Sequence, residues 1–574
     1  MNNVLAFEFL KNLIERIDFK PETGKYFLAG NISSLEIEAM SKAIEVLSGQ
    51  PAEPAPVIQP AHAVPSVAIP EPAQPTEETS PPPQQTNIPP LVLDSLEAEL
   101  SEEVLLCLDF GTAMSKAFAT IIEDGEAVDE LPLKLGKRAK QDGGLIYPVP
   151  SSLWIADDGL IFLGQKAIAL SLQDPSGKHQ RFDSLKKELT MGLTEITPDK
   201  IQLPPEINPT SVKFSKGDAI TLYLAYLTDL VGSELKEVYG ESRYVLRRFA
   251  LPSWPAARRA WGEKMLAKML AKAQIVADTL HDRWNQGVPI WEVKAIMEKV
   301  DELETLPEHL IKEGISEPLA AGSSRLKREE SARGLVMVVD VGAGTSDMAL
   351  FLVAEDPERN IFNAFPILNC SMSLSMAGDT LDGVILNIVR EKERLDNGDP
   401  DFLLLMAALR MRVRMLKEDI FRDGSCTYLL NNGSRGSISL DEFLGRTEVI
   451  KFKERLAETF QEVLEQADPS FFERFQDSWL TVVLTGGGAT LPMVKELAIG
   501  QISAHNGCMN RAQAALVPED YENDPELSVV YPQLAVAIGG ASPTIINEKY
   551  PLSKMGGRDA RETWVLGRMA ITGN

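Results

Sequence analysis

Two short segments carry the residue types that hold a phosphate group and its metal. Val104 to Thr112 reads Val-Leu-Leu-Cys-Leu-Asp-Phe-Gly-Thr, and Leu335 to Asp347 reads Leu-Val-Met-Val-Val-Asp-Val-Gly-Ala-Gly-Thr-Ser-Asp. Each is an apolar run that stops at an acid, Asp109 or Asp340, and continues with glycine and threonine. Gly111, Gly342 and Gly344 lack a Cβ, so the chain can turn tightly and bring backbone N–H groups against phosphate oxygens. Thr112 and Thr345 add hydroxyl donors. Asp109, Asp340 and Asp347 suit the water shell of Mg²⁺, which is held through phosphates, waters and a few carboxylates. Either segment alone also reads as a turn after a strand. The second acid of the longer copy, Asp347, is what an ordinary turn does not need. A third glycine run, Leu-Thr-Gly-Gly-Gly-Ala-Thr-Leu-Pro, spans Leu484 to Pro492 and follows an apolar strand from Leu480 to Leu484. Gly486 and Gly487 would let a flat ring lie against bare backbone.

In this order and with these acids, the three glycine turns resemble the actin-like ATPase superfamily, in particular the nucleotide-binding domain of the seventy-kilodalton heat-shock chaperones of DnaK type. The resemblance runs from about Val104 to Ala541. It implies an α/β, two-lobed actin-like ATPase fold, with duplicated mixed-sheet lobes and a nucleotide cleft between them. Further segments fit. Tyr147 to Ile155 and Phe162 to Ala167 resemble the family's first-lobe hairpin, and Phe182-Asp-Ser-Leu-Lys-Lys187 its catalytic-lysine segment, which gives that role to Lys186. Phe249 to Trp254 resembles the strand leading to the first lobe-connecting helix, and Pro532 to Ala537 the second connecting helix. Ser316-Glu-Pro-Leu-Ala-Ala321 resembles the stretch with the metal- and water-linked glutamate, here Glu317, and Gly378-Asp-Thr-Leu-Asp382 the glycine–acid turn of the outer second lobe. Ile438 to Ala467 resembles that subdomain's later strand and long helix. Taken singly, Lys186 also reads as part of a solvated helix face, and Glu317 as an acid at a helix start.

What the resemblance implies is a site for ATP or ADP with Mg²⁺ and slow ATP hydrolysis. The implied catalytic set is Lys186, Glu317, Asp340, Asp347 and Thr345. The implied nucleotide contacts are Asp109, Gly111, Thr112, Gly342, Gly344, Thr345, Gly378, Lys417, Gly486, Gly487 and Gly488. Asp109, Asp340 and Asp347 would reach the metal through water. The stretch Leu409 to Glu418 matches the family's lysine at Lys417, but Arg414 stands where an acid is expected and Glu418 where an arginine is. Gly488 and Thr490 replace a serine and an arginine, and Ala113 a second hydroxyl. Nothing after Ala541 resembles the chaperones' peptide-binding domain. The expectation is therefore a heat-shock-70-like conformational switch that acts through a protein partner rather than as a self-contained foldase. An actin-like filament former and, further off, a small-molecule kinase on the same fold are the alternatives.

Composition bounds the rest. At 574 residues the chain should hold several domains, and its net charge of −26 argues against nucleic acid or an anionic membrane as main partner. The cysteines (Cys107, Cys370, Cys426, Cys508) and the five histidines are scattered, which predicts reduced thiols in a cytoplasmic protein and no zinc site. No basic-then-apolar leader opens the sequence, and no apolar run approaches a membrane span. Residues 1–50 read as a small α+β unit: Val4, Phe7, Leu10, Leu13 and Ile14 recur at helical spacing, Gly24 to Gly30 suggests one strand, and Ser33 with Glu36 a capping box before a second helix. Residues 51–93, including Pro81-Pro82-Pro83, read as a disordered proline-rich linker. Residues 94–545 form the ATPase-like domain, with 262–312 as a lobe-one insertion, and 546–574 an irregular tail. A protein partner is expected at residues 1–93 or 262–312. Ala219 to Leu235 reads as an amphipathic helix with one apolar face.

Overall fold

The computed structural model describes residues 88–555, apart from 140–145, 175–178, 191–196, 252–253, 255, 326–333, 357–360, 397–400, 476–477, 506, 544–545 and 547–550, together with 17–20 and 25–28. The chain divides into two units, Met1–Thr86 and Asn87–Asn574. In the first, Ile17–Lys20 pairs antiparallel with Lys25–Leu28, so the strand expected after Gly24 has a partner before it. The two helices expected in this unit, most of the proline-rich segment and the last nineteen positions lie outside the described residues.

The second unit is an α/β structure built on two mixed sheets. The first sheet contains β1 (Ser101–Asp109), β2 (Met114–Glu123), β3 (Glu126–Pro132), β4 (Val245–Leu251) and β5 (Ile311–Ser316), in the order β5-β4-β1-β2-β3. The second contains β6 (Gly334–Val341), β7 (Ser346–Asp356), β8 (Ile361–Leu374), β9 (Trp479–Thr485), β10 (Gln501–Ala504) and β11 (Gly507–Gln513), in the order β8-β7-β6-β9-β11-β10. Each begins with an antiparallel meander, β1-β2-β3 or β6-β7-β8. Each then extends on the far side of its first strand by two parallel neighbours, β4 and β5 or β9 and β11. The two sheets thus repeat one topology. The first strand is central in both, which is why Val104 to Leu108 and Leu335 to Val339 are apolar on both faces and buried throughout.

Eight helices complete the layers that matter here: α1 (Lys216–Glu234), α2 (Ala256–Thr279), α3 (Ile290–Asp301), α4 (Glu317–Arg325), α5 (Gly378–Lys392), α6 (Phe402–Asp423), α7 (Thr447–Glu465) and α8 (Pro525–Gly540). Helix α1 opens with a capping box between Ser215 and Asp218. It is buried on every face rather than one: Thr221, Thr228, Asp229 and Glu234, on the polar side of its pattern, are all enclosed. Segment 262–312 explains this. Its helices α2 and α3 cover that side and give Leu266, Leu270, Ile275, Val293 and Ile296 to the same core as β1 and α1. A buried polar network fills the seam. Asp229 accepts from Arg243, from Trp284 Nε1 at 2.8 Å, and faces His281 Nδ1 at 2.7 Å. Nearby, Asp278 accepts from Gln274. Ile88, Leu91 and Leu96 also pack on this core, and Val92 N–H donates to Thr279.

Helices α4 and α8 cross between the two sheets. Gly539 sits against the carbonyl of Ala320, and Gly540 against the thiol of Cys107, so neither leaves room for a Cβ. Around this crossing, Leu319, Val336, Phe351, Leu534 and Tyr531 make a core that joins both sheets. Farther on, Leu552 bridges to Ile367 beside the edge strand β8, with Leu368 N–H donating to the Leu552 carbonyl at 2.9 Å. Among the described residues no helix is long and apolar enough to cross a membrane.

Candidate functional site

The three glycine turns open into one cleft between the sheets. The first joins β1 to β2, the second joins β6 to β7, and the third follows β9. Strand register sets what each presents. Asp109 lies directly opposite Lys116 in the first sheet, and Asp340 directly opposite Asp347 in the second. The third turn is fixed from behind: Gly486 N–H donates to the Pro532 carbonyl of α8 at 2.7 Å, and the Thr485 hydroxyl donates to the same carbonyl at 2.8 Å. Gly486 has φ +81°, and a Cβ there would strike the Asp340 carboxylate.

The cleft has a volume of about 480 Å³. Its lining includes Asp109, Gly111, Thr112, Lys186, Glu317, Asp340, Gly342, Gly344, Thr345, Gly378, Lys417, Gly486, Gly487 and Gly488. Asp347 stands just behind, buried, and accepts the Thr345 hydroxyl at 2.7 Å. The amides of Thr112, Gly344 and Gly487 have no acceptor among the described residues. Three turns far apart in sequence thus line one space, each with an N–H that has no acceptor among the described residues, as an anion cradle requires.

The floor is charged and buried. Asp109, Asp340 and Asp347 are each under a tenth exposed, as is Lys186. Lys116 Nζ binds Asp109 Oδ2 at 2.8 Å, and Lys186 binds Glu317 at the start of α4. Burial alone would lower the Lys186 pKa, but Glu317, Asp109 and Asp347 outweigh it and raise it, so the ammonium persists. Burial raises the Glu317 carboxyl, with Asp347 and Asp109 adding to the shift and Lys186 opposing it. Asp340 is pushed well above its usual range by burial and then by Glu317, Asp347 and Asp109. Four carboxylates share the floor with two lysines. That excess of negative charge fits a divalent cation, which would relieve the repulsion that now favours a proton on Asp340.

At the α6 end the cations are already engaged. Lys417 donates to the Gly378 carbonyl at 2.8 Å and pairs with Asp382 at 2.8 Å. Arg414 reaches Asp379 at 3.6 Å. Arg422 is held by Asp419 and Asp423. Leu381, Phe421 and Leu491 give this end apolar walls, and Glu418 and Thr490 line it as well.

Contacts also bridge the cleft. Lys187, beside the floor lysine, pairs with Asp379 at the start of α5 at 2.5 Å. Arg181 Nη2 donates to the Met411 carbonyl of α6 at 3.0 Å. Sequence reasoning missed Lys116 and Asp379. A signal for Lys116 was present: it stands at the same offset from Asp109 as Asp347 does from Asp340. A second group of metal-type side chains, Asp229, His281 and Asp282, lies away from the cleft. Both Asp229 oxygens are already engaged by Arg243, His281 and Trp284, so the group serves the buried seam. No protein-family model matches the chain, and no curated protein matches it.

Proposed function

We propose that residues 94–545 form a two-lobed actin-like ATPase of the heat-shock-70-like kind, which binds MgATP in the cleft and uses slow hydrolysis to switch between conformations. The observation that carries this reading is the convergence of three unpaired turn amides, at Thr112, Gly344 and Gly487, on a floor of acids and lysines. The repeated sheet topology and the two helices crossing between the sheets are what a duplicated, hinged pair of lobes requires.

The residues divide the work by chemistry. The free amides and the hydroxyls of Thr112 and Thr345 would hold the phosphate oxygens. Lys116 and Lys186, each now paired with an acid, would offset negative charge as it moves between phosphoryl oxygens. Asp109, Asp340 and Asp347 would hold the waters of Mg²⁺, which when bound neutralises charge on the triphosphate. Glu317 is tied to Lys186 and fixes that ammonium. Asp347, an acceptor already oriented by Thr345, is positioned to align a water and take its proton. Because both halves grip one ligand, the closed arrangement is favoured by as much as the ligand prefers it, and the output passes to a protein partner.

Calorimetry of the full chain with ATP, ADP and GTP, each with Mg²⁺, tests the reading. ATP and ADP should bind only with an intact floor, and loss of binding in Asp340→Ala should accompany an unchanged fold by circular dichroism. No heat with any nucleotide would remove it. Filaments on negative-stain grids with MgATP would move the assignment to the structural class.

A further inference from the structure

Helix α2 is basic on a chain that is acidic. From Ala256 to Lys272 it carries Arg258, Arg259, Lys264, Lys268 and Lys272 against one acid, Glu263, whereas the whole chain holds 57 basic and 83 acidic residues. Its inner face gives Leu266, Leu270 and Ala273 to the core of the first sheet. On its outer face Trp261, Lys264 and Lys268 follow at i, i+3 and i+7, which sets them in one row about 10 Å long. All three are exposed, and 41% of Trp261 stays open although the Arg258 guanidinium lies over its ring, 4.9 Å from the centroid. Lys264 and Lys268 have no ion pair or hydrogen bond among the described residues, and Lys268 acts on Asp199 through charge alone. Lys272, the next cation along, is paired with Asp301.

The row stands on a fixed base. Gly262 is pressed against the Trp254 ring, where a Cβ would lie 2.5 Å from a ring carbon. Trp254 Nε1 donates to the Leu189 carbonyl at 3.0 Å, and the Leu189 N–H donates to the Lys186 carbonyl at 3.1 Å. Glu263 Oε1 accepts the Gly314 N–H at 2.9 Å, on the strand that leads into Glu317. Two consecutive residues of α2 therefore hold the two segments whose side chains pair on the cleft floor, Lys186 with Glu317.

We propose that Trp261, Lys264 and Lys268 form a docking surface for an acidic segment of a partner protein, with two carboxylates one helical turn apart beside an apolar side chain, and that its occupancy is coupled to the nucleotide cleft. The docking stands on the exposed row, and the coupling rests on the reading of the cleft as a MgATP site. Two ammonium groups with no acid of their own attract carboxylates, and the indole adds the apolar area that an ion pair in water lacks. A nucleic acid or an anionic membrane would bring a dense run of charge against a chain of net charge −26, whereas a short acidic segment meets this face alone. A partner that shifts α2 moves the floor pair, and by linkage bound nucleotide alters the partner's affinity.

The probe is a labelled, alanine-based helical peptide of about 16 residues carrying one Leu and two Glu at the matching spacing, with Gln and Lys in place of Glu as controls. Fluorescence anisotropy with the full chain, at low salt and without nucleotide, should show the Glu peptide binding about fivefold more tightly than the Gln peptide. In the double variant Lys264→Glu, Lys268→Glu the preference should pass to the Lys peptide. Trp261→Ala should weaken the Glu peptide by about tenfold. MgATP should change the Glu peptide's affinity for the full chain by about threefold or more. Equal binding of the Glu and Gln peptides overturns the docking, as does tighter binding of a single-stranded oligonucleotide or of phosphatidylserine vesicles. An affinity that MgATP leaves unmoved overturns the coupling. If calorimetry shows no MgATP binding, the cleft reading falls and the coupling with it, while the nucleotide-free titration still decides the docking. Melting curves show whether each variant is folded, and the exposed positions predict unchanged transitions.

Discussion

Thr112 and Gly344, on turns from different sheets, are in contact: a Cβ built on Gly344 would lie 2.8 Å from the Thr112 hydroxyl oxygen and 3.2 Å from its methyl carbon. The two glycine turns are thus packed against each other as one surface, and the missing Cβ is what lets them meet. Gly344→Ala should push them apart without unfolding either sheet. MgATP affinity should fall by about tenfold or more, the loss of roughly one charged hydrogen bond, with little change in melting temperature. Unaltered affinity by calorimetry would show that the contact is incidental.

Lys186 and Asp347 should matter for turnover more than for binding. In the proposed mechanism each would act where charge or a proton moves, so Lys186→Ala and Asp347→Ala should lower ATP hydrolysis by about 10²-fold or more. Phosphate-release assays at saturating nucleotide measure this. Wild-type rates in both variants would remove the roles given to them.

The ion pair between Lys187 and Asp379 spans the cleft, reinforced by Ser184 Oγ at 3.4 Å from the same carboxylate. A ligand enclosed beneath it leaves when such contacts open. Asp379→Asn should speed release of a fluorescent nucleotide, read by stopped flow, by about threefold to tenfold, in keeping with one partly buried ion pair. A slower or unchanged release rate would count against the bridge as a gate.

Asp278 gives a pH signature remote from the cleft. Burial pushes its carboxyl from 3.8 up to about 6, with Ser95, Arg243, Gln274 and Arg247 opposing the shift. The folded protein holds this proton more tightly than the unfolded chain. Its contribution to stability is complete below pH 3.8 and is lost as pH rises to about 6. The amount at stake is about 3 kcal/mol. Urea midpoints of wild type minus Asp278→Asn should therefore fall across that window and level off above it. A flat difference would mean that the carboxyl ionises normally.

The crossing of α4 and α8 should tolerate no added carbon. At Gly539 a methyl group would enter the Ala320 carbonyl, which belongs to helix backbone and cannot swing aside. Gly539→Ala should destabilise the fold by about 3 kcal/mol or more. Chemical denaturation measures it, and a loss below about 1 kcal/mol would show that the helices separate easily.

The sheets were legible because strand and turn signals are local. An apolar run, an acid and then glycine fix a strand and the bend after it within a dozen positions, and Val104–Thr112 and Leu335–Asp347 fold as that pattern implies. Helix α1 was less so. Its polar side reads as solvent-facing, because nothing near it in sequence says that α2 and α3 will cover Thr228 and Asp229. Segment 262–312 reads as an addition for the same reason, although it supplies core residues.

By itself the sequence determined the three bare turns and the acids that end their strands, since backbone freedom and strand length depend on neighbouring residues alone. Tertiary structure decided the rest: that Lys116 faces Asp109, that Lys186 meets Glu317, and that Asp379 reaches across to Lys187. The first pairing follows from hairpin register, whereas the other two need elements distant in sequence to approach, and there each buried charge is tolerated only because an opposite charge is brought beside it.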